Sequence, residues 1–135
     1  MNKIDLKLSS TRTYPIIIKN DVISRLSQYI DKSYYNRQII VITQSGIDQL
    51  YGNNLRESLL KVTSSELIHT IFIDDNESAK SYRDISLIYD KLLTYNCNRD
   101  SIIIGFGGGV VGDIAGFIAS TYLRGIDLIN IPTTL

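Results

Sequence analysis

The chain has 135 residues, a length suited to one domain with a single core. Its 14 basic and 14 acidic residues cancel, and no run of like charge exceeds two residues, so the charge pattern does not predict binding to nucleic acid or to an anionic membrane. Cys97 is the only cysteine, which excludes an internal disulfide, and the opening segment lacks the apolar core of a signal peptide or membrane span, so we expect a cytoplasmic protein.

The first two predicted elements are strands. Ile4, Leu6 and Leu8 alternate with polar residues, and a β-branched run follows at residues 14–19. Polar residues at 9–12 separate the two runs. This arrangement predicts an N-terminal β-hairpin.

Helices and strands alternate along the rest of the chain. The predicted elements are a helix capped by Asn20 or Asp21, a strand at 38–43, a helix from Gly46 to Val62, a strand at 67–74, a helix from Asp84, a strand at 101–105, a helix after the glycines and a strand at 127–132. The first helix is predicted to gather Val22, Ile23, Leu26, Tyr29 and Ile30 on one face, and the second Ile47, Leu50, Tyr51, Leu55, Leu59 and Val62. This alternation predicts a Rossmann-like α/β fold, with an open, mostly parallel sheet and helices on both faces.

A cluster of glycines joins the strand at 101–105 to the next helix. Gly107, Gly109 and Gly112 form the pattern G-x-G-x-x-G in that position. In such a pattern the first glycine permits a turn, the second the approach of a diphosphate and the third close helix packing, while the helix N-terminus offers unpaired N–H groups. The ordinary dinucleotide-binding loop, however, follows the first strand of its domain. Taken alone, the glycines indicate a phosphate site and a packing corner equally.

A longer set of motifs resembles one family. The segment GGGVVGDIAGFIASTYLRGIDLINIPTTL, with DDNESAKS at 74–81 and VITQSG at 41–46, is similar to the N-terminal NAD-binding domain of 3-dehydroquinate synthase, a sugar-phosphate cyclase. The resemblance covers residues 1–135. Because the chain stops within a Pro-Thr-Thr pattern, we expect it to be part of a longer two-domain enzyme, whose C-terminal helical, metal-binding domain is absent here.

The resemblance implies an activity for that longer protein. It implies conversion of 3-deoxy-D-arabino-heptulosonate 7-phosphate, a small sugar phosphate, to 3-dehydroquinate and phosphate in the shikimate pathway. It also implies NAD, a divalent metal, zinc or cobalt, acting as a Lewis acid, and a homodimer. The alternatives are a cyclase of the 2-deoxy-scyllo-inosose synthase type, a metal-dependent polyol dehydrogenase of the glycerol dehydrogenase type, and a non-catalytic nucleotide-binding module.

The resemblance also implies site residues. The cofactor-binding set is Thr43, Gln44, Asp75, Asn76, Glu77, Lys80, Gly108, Gly109, Val110, Val111, Gly112, Asp113, Thr133 and Thr134. Asn76 stands where the family has glycine, and asparagine tolerates the positive φ that glycine favours. The structural alternatives are an exposed ion pair for Glu77 and Lys80 and a capping role for the two threonines.

Arg124 is the only residue that the resemblance assigns to substrate, at an anion site of its own or a neighbouring subunit. An arginine before Gly125 is equally suited to stabilising a helix C-terminus. No catalytic residue and no metal ligand is assigned in this chain, and His69 has no other ligand-type residue at metal-binding spacing.

Overall fold

The fold consists of a parallel sheet and a separate hairpin. A computed structural model describes residues 2–8 and 12–134. The strands are β1 (Asn2–Lys7), β2 (Thr13–Ile18), β3 (Ile39–Thr43), β4 (Ile68–Phe72), β5 (Ile102–Gly107) and β6 (Asp127–Pro132). Strands β3 to β6 form the sheet in the order β4-β3-β5-β6, with every neighbouring pair parallel. The predicted α/β fold with an N-terminal hairpin is confirmed.

Helices cover both faces of the sheet because its inner strands are apolar on both sides. The helices are α1 (Ser45–Ile47), α2 (Asn53–Leu59), α3 (Tyr82–Thr94) and α4 (Gly109–Thr121). Alternate residues of β3 enter different core clusters: Ile39 packs with Leu59 of α2, whereas Ile40 packs with α3 and α4. Side chains alternate along a strand, so a strand buried on both faces reads as a continuous apolar run.

The predicted helix after the hairpin is wrong. Residues 20–25 form turns, and only Leu26–Gln28 is helical, as a short 3-10 turn. The backbone here departs from a regular helix in two ways: Asp21 is left-handed, with φ 58°, and the Ser27 amide donates to Ser58 Oγ at 3.0 Å instead of to a helical carbonyl. Leu26 and Ile30 are nevertheless buried, as their apolar pattern predicts.

The helix predicted from Gly46 is interrupted by a wider segment. Residues Asp48–Gly52, between α1 and α2, are π-helical. Such a segment holds more residues per turn than an α-helix, and it leaves Leu50 70% and Tyr51 44% exposed. Their predicted place on the apolar face is therefore wrong, whereas Leu55 and Leu59 are buried as expected. Within the described part of the chain, no helix has the length and apolar composition to cross a membrane.

Candidate nucleotide-binding site

The carboxyl ends of the four parallel strands define the candidate site. The chain leaves β3 towards β4 on one side, and it passes from β5 to β6 on the other. The order of the sheet thus reverses between β3 and β5. Ligands of open α/β sheets bind outside the strand ends at such a point, and the glycine cluster lies there, at the end of β5.

Two glycines of the cluster are required by packing. A Cβ on Gly105 would lie 2.8 Å from the Cβ of Ala115, and one on Gly107 would lie 2.5 Å from Cγ2 of Val111. Both contacts are shorter than side chains tolerate, so these glycines let α4 lie directly on β5. The turn predicted for Gly107 is not observed, because this residue is the last of strand β5. Its φ is not positive, since Gly125 is the only described glycine with a positive φ.

Gly109 differs, because a Cβ there would meet no atom within 4 Å. It is the first residue of α4, after the extended N-cap residue Gly108, so the free N–H groups of the helix start beside open space. Gly112 faces Asn130 of β6, whose Nδ2 would lie 3.4 Å from an added Cβ. The cluster therefore combines a packing corner with an open helix N-terminus.

Lys80 connects two motifs that are distant in sequence. Its Nζ lies 2.7 Å from Oδ2 of Asp113 and 2.9 Å from Oε2 of Glu77. The hydrogen bond that Lys80 donates to Asp113, followed by the one it donates to Glu77, raises the pKa of Lys80 above its usual value. We call these three residues the charged cluster. It joins the loop after β4 to the first turns of α4, and its net charge is −1.

The loop that carries Glu77 is shaped by a side-chain cap. Asn76 accepts a hydrogen bond from the Ser78 amide at 2.9 Å and begins the 3-10 turn Glu77–Lys80. Its own backbone is extended, with φ −129°, so the expected use of a positive φ is wrong. Asp75, Asn76 and Glu77 are exposed.

The residues after β3 are held by the sheet. Thr43 is fully buried, and its hydroxyl donates to the Phe106 carbonyl at 2.6 Å. Gln44, which is partly exposed, donates from Nε2 to the Asp74 carbonyl at 3.2 Å. Thr43 therefore fixes β3 against β5 and presents no free hydroxyl, whereas Gln44 borders the edge.

The two threonines after β6 close the other side of the site. The Thr133 amide donates to the Gly107 carbonyl at 2.9 Å, while its buried hydroxyl has no hydrogen-bond partner among the described residues. Thr134 is exposed beside Gly108, where an added Cβ would lie 3.4 Å from its hydroxyl. An unpartnered buried hydroxyl next to an open cradle is suited to a polar ligand.

The two valines of the motif have different surroundings. Val111 is fully buried in the core, and Val110 is partly buried against the same cluster. Sequence reasoning missed Asn130, whose amide lies between β6 and the start of α4. A polar residue inside the apolar run LINIP was the signal for it.

Arg124 lies at the opposite edge of the sheet. It follows the C-terminus of α4 and precedes β6, whose first residue, Asp127, pairs with Ile102 at the beginning of β5. The 13 residues of α4 separate this edge from the glycines, a length of about 20 Å. Arg124 has a left-handed backbone with φ 67°, and the structure does not bring it together with the other predicted site residues.

The described residues do not form a metal centre. Residues 2–8 and 12–134 contain no group of three or more His, Cys, Asp and Glu side chains placed to hold a metal ion. His69 stacks on Tyr95, with ring centroids 4.1 Å apart.

Comparison with known proteins shows what the chain is similar to. Residues 70–135 match the family model described as 3-dehydroquinate synthase N-terminal. The chain is 38% identical over 135 residues to 3-dehydroquinate synthase from Clostridium kluyveri, a match that covers 100% of this chain and 37% of that protein. The chain is related to the N-terminal part of 3-dehydroquinate synthases. It spans 36 to 37% of the length of several such curated relatives.

Solved cyclase structures share the fold. A 2-deoxy-scyllo-inosose synthase complexed with carbaglucose-6-phosphate, NAD+ and Co2+ matches 98% of this chain and 35% of its own, with a TM-score of 0.85 and 24% identity. The 2-epi-5-epi-valiolone synthase from Streptomyces hygroscopicus subsp. jinggangensis 5008, with NAD+ and Zn2+ bound, is 34% identical over 73% of this chain and 27% of its own, with a TM-score of 0.62. The predicted resemblance and the Rossmann-like fold are thus confirmed.

Proposed function

We propose that this chain is the NAD-binding domain of a 3-dehydroquinate synthase and that the dinucleotide binds at the carboxyl edge of the sheet. One observation carries the proposal. Lys80 joins Glu77 and Asp113 beside the open N-terminus of α4. This arrangement places hydroxyl-binding carboxylates next to phosphate-binding N–H groups.

The residues present fit a dinucleotide. Gly109 leaves space for a diphosphate, and the first N–H groups of α4 can donate to it. The charged cluster has a net negative charge and is therefore less suited to phosphate than to ribose. We infer that Glu77 and Asp113 accept hydrogen bonds from ribose hydroxyls, while Lys80 holds both carboxylates in place.

The remaining contacts orient the ligand. The Thr133 hydroxyl is positioned to bond a polar group of the cofactor, because its amide is already anchored on Gly107. Asp75, Gln44 and Thr134 border the edge, and Thr43, Val110 and Val111 support it from the core. The chemistry supplied by bound NAD is reversible hydride transfer with a secondary alcohol of the substrate.

For the whole enzyme we propose the reaction that the relatives' name implies. A protein that contains this domain would convert 3-deoxy-D-arabino-heptulosonate 7-phosphate to 3-dehydroquinate and phosphate in the cytoplasm. Its divalent metal, zinc or cobalt, would be held by residues outside the described ones. Arg124 would serve the substrate site of a neighbouring subunit, since α4 separates it from the site of its own chain.

NAD binding by two glycine variants tests the proposed site. Gly109→Val is compared with Gly116→Val, since both glycines lie in α4 and a Cβ at either meets no atom within 4 Å. We expect the 135-residue chain to bind NAD with a dissociation constant of about 0.1 to 1 mM. Gly109→Val should abolish this binding, and Gly116→Val should retain it. Equal affinity in the two folded variants would refute the site.

A phosphate-release assay tests where the chemistry resides. The 135-residue chain should release no phosphate from the heptulosonate phosphate, because it lacks a metal centre among its described residues. Turnover by this chain alone would contradict the proposal that the metal and the catalytic residues lie outside the described residues. In a protein extended beyond residue 135, release from glucose 6-phosphate only would favour the inosose synthase alternative, and net NADH accumulation the polyol dehydrogenase.

A further inference from the structure

Helices α3 and α4 enclose a groove that the proposed NAD site does not use. Both helices pack on the same core cluster, and both run from the carboxyl edge to the amino edge, because each connects two parallel strands. They meet towards the amino edge, where the hydroxyls of Tyr89 and Thr121 are hydrogen-bonded. Nearer the carboxyl edge they leave a groove of about 420 Å³ between them.

The walls of this α3–α4 groove are apolar and aromatic. Ile114 is 2% exposed and forms its floor, Ile85 is partly buried beside it, and Phe117 and Tyr82 stand at its rim as exposed rings. Small-molecule sites have volumes of this size, with apolar and aromatic walls and a few polar groups that orient the ligand. The groove is therefore suited to an apolar ring, because aromatic walls favour ring contacts beyond simple area burial.

The open end of the groove carries the charged cluster. Lys80 and Asp113 border it there. Lys80 contacts one oxygen of each carboxylate, Oδ2 of Asp113 and Oε2 of Glu77, and the two acidic side chains remain 67% and 76% exposed. A ligand can therefore reach both carboxylates. Because the cluster has a net charge of −1, it attracts a cationic group and repels an anionic one.

The length of the groove limits the size of its ligand. Asp113, at the open end, lies eight residues before Thr121, at the closed end, a separation of about 12 Å along α4. This length holds one ring and a short chain, whereas another helix is itself about 10 Å wide. The dimensions thus favour a small molecule over a protein segment.

We propose that the α3–α4 groove binds a small molecule with an aromatic ring and a protonated primary amine. The ring lies between Ile85 and Phe117, and the ammonium group donates to the carboxylates of Asp113 and Glu77. This inference rests on the groove and its charge, and it does not depend on the proposed function. If both hold, NAD and the amine share the two carboxylates and exclude each other.

Phenethylamine and 3-phenylpropionate form a matched pair of probes, since both carry one phenyl ring and their charges are opposite. Calorimetry is performed on the 135-residue chain without NAD, at about pH 7, where a primary alkyl amine is protonated. The amine should bind with a dissociation constant of about 1 mM. The acid should bind about tenfold more weakly, because it loses one attraction and gains one repulsion at exposed charges. Equal affinities, or no binding of the amine at about 10 mM, would overturn the proposal.

Two alanine variants test the position of the ring. Phe117→Ala removes one wall of the groove and should weaken amine binding about tenfold. Leu87→Ala is the control, because Leu87 lies on α3 outside the groove and, at 50% exposed, resembles Phe117 at 52%. It should leave amine binding unchanged. Circular dichroism confirms that both variants are folded, and equal affinities in the two would show that the amine binds elsewhere.

Methyl NMR spectra of the wild type locate the amine without any substitution. Phenethylamine should shift the methyl resonances of Ile85 and Ile114, whereas Ile71, which is buried under α3 and outside the groove, should not shift. Shifts at Ile71 without shifts at Ile85 and Ile114 would refute the groove as the site. Since NAD is absent from these measurements, a chain that binds the amine but not NAD refutes the proposed function alone. The converse result refutes this inference alone.

Discussion

The two edges of the parallel sheet differ in how far their polar side chains are exposed. At the amino edge these groups bond to one another: Gln38 Oε1 accepts from Ser101 Oγ at 2.9 Å, and Arg37 Nη2 lies 2.6 Å from Asp127 Oδ2. At the carboxyl edge a charged cluster is exposed, and the buried Thr133 hydroxyl has no described partner. The amino edge is thus closed largely by its own contacts, while the carboxyl edge presents exposed charged groups that a ligand can reach.

The largest effect is expected from breaking the packing under the carboxyl edge. Gly105→Val would place its Cβ 2.8 Å from Ala115 and 3.1 Å from Asn130 Oδ1, so overpacking should lower the free energy of unfolding by about 3 kcal/mol. Gly109→Val is the matched variant, with no such contact, and should cost less than about 1 kcal/mol. Urea denaturation measures both. Equal losses would show that the two glycines do not differ in packing.

The next largest effect is a loss of folding stability at alkaline pH. It comes from Cys97, which lies near the amino edge. Burial raises the pKa of Cys97 from 9.0 to about 11. The unfolded chain therefore loses this proton at a lower pH than the folded chain, and the stabilisation present below pH 9.0 is lost as pH rises through about 11. The loss should reach about 2 kcal/mol.

Urea denaturation between pH 8 and pH 11 tests this pH dependence. The Cys97→Ala variant should show a shallower decline than the wild type. Tyr122 is present in both proteins, and its pKa is raised by burial and, to a smaller extent, by the charge of Cys97. The difference between the curves therefore reports the thiol together with its effect on Tyr122. If the stability of the two proteins declined in parallel with pH, the alkaline loss of stability could not be attributed to Cys97.

A crossed pair of substitutions compares the edges directly. Lys80→Gln should weaken NAD binding about tenfold, because Glu77 and Asp113 lose the cation that positions them. Its stability should change little, since all three groups are exposed to solvent. Arg37→Gln should do the opposite, lowering stability by about 1 kcal/mol without changing NAD affinity.

Calorimetry and thermal unfolding on both variants provide the two readouts. A loss of NAD affinity in Arg37→Gln would mean that the edges are coupled through the sheet. Unchanged affinity in Lys80→Gln would remove the charged cluster from the proposed site.

The smallest effect is expected for Arg124. Because Arg124 lies at the amino edge, Arg124→Ala should leave NAD binding by the 135-residue chain unchanged in calorimetry. A measurable loss would place this residue near the cofactor, contrary to its position after α4.

The sheet could be predicted from the sequence because its inner strands are continuous apolar runs. Ile39 to Thr43 and Ile102 to Phe106 are buried throughout. The segment after the hairpin could not be predicted, because its apolar spacing fits a helix while the bond from Ser27 to Ser58 spans 31 residues. Local patterns do not contain such a distant partner.

The candidate site was predicted only in part for the same reason. The glycine pattern indicated a helix N-terminus with close packing, but whether each glycine serves packing or a ligand depends on what lies opposite it, Ala115 or open space. The pairing of Lys80 with Asp113 spans 33 residues and requires the order of the sheet. A motif identifies residue types, whereas the topology decides which of them meet.

The π-helical segment Asp48–Gly52 has a consequence for chain length. A π turn accommodates one residue more than an α turn, and here the surplus is on the surface, where Leu50 is 70% exposed. Removing Leu50 would leave Leu55 seven positions after Ile47, two α-helical turns, so both side chains would still face the core. The helix can therefore lose one residue at this point without shifting its buried half, and some homologous chains are expected to be one residue shorter here.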